Sequence, residues 1–336
     1  MDRITTRLAA AAAAAGLALL AAGCSGNATT ATGTNTSPAG ATSRALPIPF
    51  TITARYTPAS LGLGWLGALA IGPDGNLYVT DHSQRVTVIS PAGTVLRRWG
   101  KPGSGPGEFR FIALGPNPAA TMGKIAVGPD GKVYVSDSGN GRVQVFTPQG
   151  RFVRQLGSYG SGKGQFLRPL ELMADSAGNV YVADDQTETL TKFSPAGQVI
   201  WQIGGGAAGD PDLNGHFNLA GIDAHGRLVV LNDDKQRILY IDDGGHEVDA
   251  FSPGFPTSSP TGGACEATVD AAGNTYVSGC GPGPTLVYDR AHRLIAKWPG
   301  TMSSLFVSPV FGPNGQDFAL AVDGTILRLH ITLPGA

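Results

Sequence analysis

Oxygen-bearing side chains at alternate positions mark the stretch of this chain most suited to chemistry. Asp210-Pro-Asp212-Leu-Asn214-Gly215 reproduces the first half of a calcium loop, three oxygen donors and then the glycine that permits a sharp turn. The bidentate glutamate expected at the twelfth position is missing, because Gly221 stands there, and Asp223 is the carboxylate that would have to replace it. Calcium held by Asp210, Asp212 and Asn214 is one expectation, and a polar connecting loop without a cofactor is the plainer one. A second stretch, Gly157-Ser-Tyr-Gly-Ser-Gly-Lys163-Gly164, satisfies most of a phosphate-binding loop. Gly164 replaces the hydroxyl that would hold magnesium, and no helical pattern follows. The chain contains no Gly-x-Ser-x-Gly elbow, no His-x-x-x-His and no Cys-x-x-Cys.

The cysteines speak of compartment. Arg3 and Arg7 precede a charge-free apolar run, Leu8 to Ala22, which ends on Gly23-Cys24. The run is shorter than the ~20 residues that span a bilayer, so residues 1–23 read as a signal peptide. Leu20-Ala-Ala-Gly-Cys24 resembles a bacterial lipobox, with Ala21 where leucine is more usual. That resemblance implies Cys24 as the lipidated first residue of a protein held on the outer face of the cell membrane, which speaks against nucleic acid as a partner. Residues 24–47 carry a single charge, Arg44, among Ser, Thr, Ala, Gly, Asn and Pro, and should form a disordered tether. Cys265 and Cys280 remain as an even pair in an oxidising compartment. If Asp270 opposes Thr275 in a hairpin, Cys265 and Cys280 lie opposite each other, and a disulfide is expected.

The elements that must position these groups come from a repeat. The turns at Gly75, Gly131, Gly178, Gly226, Gly273 and Gly315 are spaced by 56, 47, 48, 47 and 42 residues. Each lies between two short β-patterned runs, such as Ile125-Ala-Val and Val133-Tyr-Val; a third run follows, as in Arg142-Val-Gln-Val-Phe, and then a fourth. Four strands per ~47 residues make one propeller blade. The sixth copy ends after its third strand, Thr325-Ile-Leu-Arg-Leu-His-Ile, whereas Phe50-Thr-Ile-Thr-Ala-Arg-Tyr stands alone before the first. The latter should complete the last blade and leave no open edge. Aspartates end the second strands (Asp81, Asp137, Asp184) as turn caps. Trp65, Phe109, Phe166, Phe217 and Phe306 precede the new blades, as inter-blade packing.

The run from Ile125 to Phe146, followed by Phe152-Val-Arg-Gln-Leu-Gly and Gly164-Gln-Phe, resembles the NHL repeat nearly position for position, and the likeness extends in weaker form over residues 50–331. The resemblance implies an all-β fold: a six-bladed β-propeller of NHL-type four-stranded blades over residues 48–332, closed by an N-terminal strand. It implies too that the start of each first strand lines a central channel, here Ala68, Lys124, Glu171, Leu219, Glu266 and Ser308. Lactonases of the gluconolactonase type use a channel Glu with Asn and Asp to bind a divalent cation, which Glu171 and Glu266 echo. Lys124 opposes a cation and should pair with Glu171. Related hydroxyglycine lyases place zinc-binding histidines there, and no histidine of this chain falls on such a position.

Net charge over the chain is −1. Residues 45–169 hold 13 Lys/Arg against 5 Asp/Glu, and residues 170–250 hold 4 against 14, so opposite sectors of the ring should carry opposite charge. The wide first spacing comes from an apolar insertion, residues 111–122, on the face where blades connect, a candidate recognition surface. The expected function is a non-catalytic binding module for a protein, peptide or envelope glycan, similar to the extracellular sensor propellers of some mycobacterial receptor kinases. Its contact residues would be Arg110, Phe111, Ile112, Lys163 and Arg168 with the channel set Lys124, Glu171 and Glu266. The rival is a metal-dependent lactonase or lyase using Glu171 and Glu266 with Asp137 or Asp184.

Overall fold

Short runs rich in β-branched and aromatic residues, cut every few residues by glycine turns, favour strands over helices, and the computed structural model of the chain is a β-propeller. It describes residues 46–47, 50–113, 121–205, 213, 215–255, 263–279, 284–298, 310–311, 317–322 and 325–331. Six sheets of four or five strands succeed one another. Sheet 1 is Leu66–Ile71, Leu77–Asp81, Arg85–Ile89 and Val95–Trp99; sheet 2 begins at Ile125–Val127 and ends at Phe152–Leu156. Sheet 3 runs from Pro169–Ala174 to Val199–Gly204, sheet 4 from Phe217–Ile222 to Glu247–Phe251, and sheet 5 from Ala264–Val269 to Leu294–Trp298. Sheet 6 comprises Val310–Phe311, Asp317–Val322, Thr325–Ile331 and, from the other end of the chain, Phe50–Tyr56.

The first hairpin of a sheet is fastened by one aspartate. In sheet 3 the Asp175 carboxylate accepts the Ala177 and Asn179 amides at 2.9 and 2.8 Å and the Tyr181 hydroxyl at 3.1 Å. The same tyrosine–aspartate bond recurs as Tyr78–Asp74 and Tyr276–Asp270. Gly178 follows at φ +81°, a left-handed conformation that suits glycine.

Packing is between sheets. Six clusters of buried side chains each join two neighbouring sheets, including sheet 6 to sheet 1 through Tyr56, Ala319 and Ile326 against Leu69, Leu77 and Ile89. The ring is thereby closed, and Phe50–Tyr56 pairs antiparallel with Thr325–Ile331 as the repeat count requires. Phe109, Phe166 and Phe217 are buried at these junctions. Phe306 lies outside the described residues.

Three expectations need correction. Trp65 is 57 % exposed. In its place the short helix Pro58–Leu61, capped by Thr57, delivers Leu61 to the junction, and the strand that follows delivers Leu66. Leu46–Pro47, assigned by composition to the tether, adds a fifth, parallel strand to sheet 5; an edge position tolerates proline because no amide is needed there. The hairpin around Gly273 pairs Val269, not Asp270, with Thr275, and a bulge at Cys265 shifts the register again. Cys280 is outside the described residues, as are residues 1–45, Cys24 among them. No helix among the described residues is long and apolar enough to cross a membrane.

Candidate functional site

The channel residues are aimed by bulges. First strands of sheets 1, 3, 4 and 5 each carry an irregularity near their start, skipping Gly67, Leu170, Ala220 and Cys265. A bulge re-aims the side chains beside it, and here it precedes Glu171 and Glu266. In sheet 2, Lys124 is held by reciprocal bonds with Ser136: its amide donates to the Ser136 hydroxyl and its carbonyl accepts the Ser136 amide, both at 2.9 Å.

The Lys124 ammonium lies 2.9 Å from the Glu171 carboxylate, and both side chains are buried at 14 % and 12 % exposure. Burial pushes the Glu171 carboxyl from 4.5 up to about 7; Lys124 opposes the shift, and Glu266 and Asp233 add to it. Burial disfavours the Lys124 charge, but Glu171 and Glu266 outweigh it and hold the ammonium above its ordinary value. Glu266 accepts the Asn218 amide at 3.0 Å. The channel thus contains one interlocked set: one cation, two carboxylates and one carboxamide. Asn218 was not foreseen. The alignment pointed to Leu219, but the bulge at Ala220 turns Leu219 into the junction core; a lone polar residue in an apolar first strand was the available signal. Ala68 is also packed in a junction, and Ser308 is outside the described residues.

Asp137 and Asp184, the other carboxylates considered for metal, are structural. Asp137 accepts the Arg110 amide at 2.7 Å, the Arg142 guanidinium at 2.8 Å and the Gln144 amide at 3.0 Å. Asp184 accepts the amides of Arg168, Gln186 and Thr187. Asp223 cannot complete a calcium loop either, since its carboxylate caps His225 and Arg227 and pairs with the Arg227 side chain. Asp210, Asp212 and Asn214 lie outside the described residues. In the glycine-rich stretch, Gln165 and Gln202 take the amides of Gly162 and Gly164 that a phosphate would need.

The connecting face divides the remaining candidates. Arg110 and Lys163 are exposed. Arg168 is engaged: its guanidinium donates through Nε to Asp185 at 2.6 Å and through a second nitrogen to the other oxygen of that carboxylate. Phe111 faces inward rather than to the surface. It is 6 % exposed and stacks on Phe109 at 5.0 Å, over Gly123, because the insertion starts inside the sheet 1–2 junction. Phe111→Ala is expected to cost about 3 kcal/mol in urea unfolding, with no direct effect on a ligand at the surface. Ile112–Ala113 pairs with Thr121–Met122, and the tip between them is outside the described residues.

One group was missed entirely. His216, Asp233 and Asp234 bring three ligand-type atoms within 4.8 Å of one another. The His216 ring is 2.9 Å from Asp234, and burial pushes the Asp233 carboxyl up to about 6, with Asp234 adding to it. Its residues come from a strand start and a strand-end turn, so no sequence spacing announces it. An imidazole and two carboxylates suit a borderline divalent ion, but His216 and Asp234 are half exposed and already pair with each other.

A family model described as a 6-bladed beta-propeller (DUF5128) matches residues 118–202, which fall within sheets 2 and 3 and the insertion before them. No curated protein matches the chain. Among solved structures, a virginiamycin B lyase from Staphylococcus aureus is similar over 84 % of this chain and 100 % of its own, with TM-score 0.58 and 11 % identity. A gluconolactonase from Xanthomonas campestris is similar over 88 % and 99 %, with TM-score 0.56 and 18 % identity. The Swd1 propeller domain from Myceliophteria thermophila aligns over 84 % and 100 %, with TM-score 0.54 and 11 % identity. At such identities the likeness is one of fold, shared by enzymes and by a propeller whose description names no reaction.

Proposed function

We propose that the chain is an exported, lipid-anchored propeller of six NHL-type blades that binds a protein, peptide or envelope glycan at the outer face of the cell membrane and performs no chemistry itself. The observation that carries this reading is the Lys124 ammonium, 2.9 Å from Glu171 in the channel. A lactonase or lyase of this fold would need that acid set for a metal, and a lysine already supplies its positive charge. The second-strand aspartates, the other ligands such an enzyme could recruit, are consumed as caps. In this reading Cys24 carries the lipid and residues 25–45 separate the ring from the bilayer. Cys265, which is not a free thiol, pairs with Cys280 across the bulged start of sheet 5.

Metal content of the purified protein, with melting curves in the presence and absence of chelator, tests the reading. The expected outcome is no stoichiometric divalent ion and no chelator-dependent shift. An ion lost on Glu171→Gln or Glu266→Gln would move the assignment to a metal-dependent lactonase or lyase. Loss of labelled palmitate incorporation in Cys24→Ala tests the anchor separately.

A further inference from the structure

The connecting face carries a pocket between sheets 1 and 2 whose chemistry is one-sided. Its volume is about 510 Å³, within the ~300–1,000 Å³ range of small-ligand sites. Its walls include His82, Gln84, Ser104, Arg110 and Asn140, and no carboxylate lines it. Of the acids adjacent in sequence to its walls, Glu108 is turned to the Ser104 and Gly105 amides and to Lys101, and the Asp81 carboxylate accepts the Gly64 and Ser83 amides. Gln84 accepts the Phe111 amide and donates to the Phe111 carbonyl, and the Asn140 side-chain amide donates to Asp137 and to the Gly103 carbonyl.

Two of the donors are held by close approach to glycine. The His82 ring lies against Gly64, where a Cβ would come within 2.2 Å of its Nδ1, and Nδ1 accepts the Trp65 amide at 3.0 Å. In the neutral ring this leaves the proton on Nε2, free to donate. Arg110 runs across Gly139, where a Cβ would be 2.8 Å from its Cγ, and the Gly139 amide donates to the Arg110 carbonyl. The Arg110 side chain is exposed, and its guanidinium makes no ion pair among the described residues.

From this geometry we infer that the pocket between sheets 1 and 2 binds a carboxylate-bearing saccharide, with Arg110 taking the carboxylate and His82 and Ser104 the adjacent hydroxyls. An arginine fork matches the two coplanar oxygens of a carboxylate. His82 and Ser104, which line the pocket beside the arginine, supply donors for the hydroxyls that flank the carboxylate of a sugar acid. The surrounding sector of the ring, residues 45–169, carries a surplus of eight positive charges (13 against 5) and attracts an anion. The inference rests on the binding-module reading and names its ligand class.

Calorimetric titration of the intact protein with a short oligogalacturonate, set against a malto-oligosaccharide of equal length and a free-carboxylate peptide, tests it. The oligogalacturonate is expected to bind, to bind more weakly at high salt, and to lose about tenfold or more in affinity with Arg110→Ala at unchanged melting temperature. His82→Ala should weaken it less, and Lys163→Ala, outside the pocket, only marginally. Equal binding of the neutral sugar, preference for the peptide, an Arg110→Ala protein that binds as well as the parent, or no binding would each overturn the inference. Metal content of the same preparation keeps the two claims apart. A metal-free protein without uronate binding leaves the binding-module reading standing, whereas a channel metal removes that reading whatever the pocket binds.

Discussion

Deletion of residues 50–57 abolishes cooperative unfolding. The strand Phe50–Tyr56 pairs along its length with Thr325–Ile331, but hydrogen bonds are the smaller part of its contribution. Ile52 packs into the junction of sheets 5 and 6, and Ala54 and Tyr56 into that of sheets 6 and 1. Tyr56 also donates its hydroxyl to the Pro91 carbonyl at 2.8 Å and lies over Gly93 in the turn of sheet 1. The segment thus belongs to both interfaces that close the ring. Its loss exposes apolar surface on two sheets, opens the edge of Thr325–Ile331, and leaves a total stability of ~5–15 kcal/mol to be met by an open array. A truncated protein should show no sharp thermal transition and should aggregate through its free edge. The ring-closure account fails if the truncated protein melts cooperatively within a few degrees of the parent.

Lys124→Met carries the second large effect, a destabilisation whose size depends on pH. Removing the ammonium leaves Glu171 and Glu266 facing each other in a buried site, a change of about 3–5 kcal/mol when a buried pair is broken. In the parent the Glu171 carboxyl sits near 7 when folded against an ordinary 4.5. The folded state therefore holds the proton more tightly. Its stabilising contribution is complete below about 4.5 and is lost as pH rises through about 7. Without Lys124 the folded value rises further, so the variant should lie closest to the parent in acid and furthest from it above neutrality. Urea unfolding at about pH 5 and about pH 8 measures this. A deficit equal at both values would mean that Lys124 contributes packing rather than charge.

The electrostatic sectors read from the chain are partly neutralised where they meet. Lys124–Glu171 and Arg168–Asp185 each join a residue of the basic span to one of the acidic span. Within the acidic span, Lys192 reaches Asp243, and Arg237 pairs with Glu247. Arg110 escapes this cancellation because the Asp137 carboxylate beside it is taken by its own backbone amide and by Arg142.

What the amino-acid sequence by itself determined is whatever depends on short range. Glycine turns at nearly constant spacing, the short β-patterned runs between them and the Asp-capped hairpins specify the sheets, and counting strands identified Phe50–Tyr56 as the missing one. Lys124, Glu171 and Glu266 were legible as channel residues for the same reason, since each sits at one place in a repeating unit. Only the tertiary structure decided the rest. Bulges at Ala220 and Cys265 moved Asn218 beside Glu266 and shifted the register of the first hairpin of sheet 5, because the strand start must bend to fit the ring. Phe111 turned inward since the junction beside it offered more apolar contact than water did. His216 met Asp233 and Asp234, and His82 and Arg110 came to share one pocket, because residues far apart in the chain become neighbours only where adjacent loops converge on a closed ring.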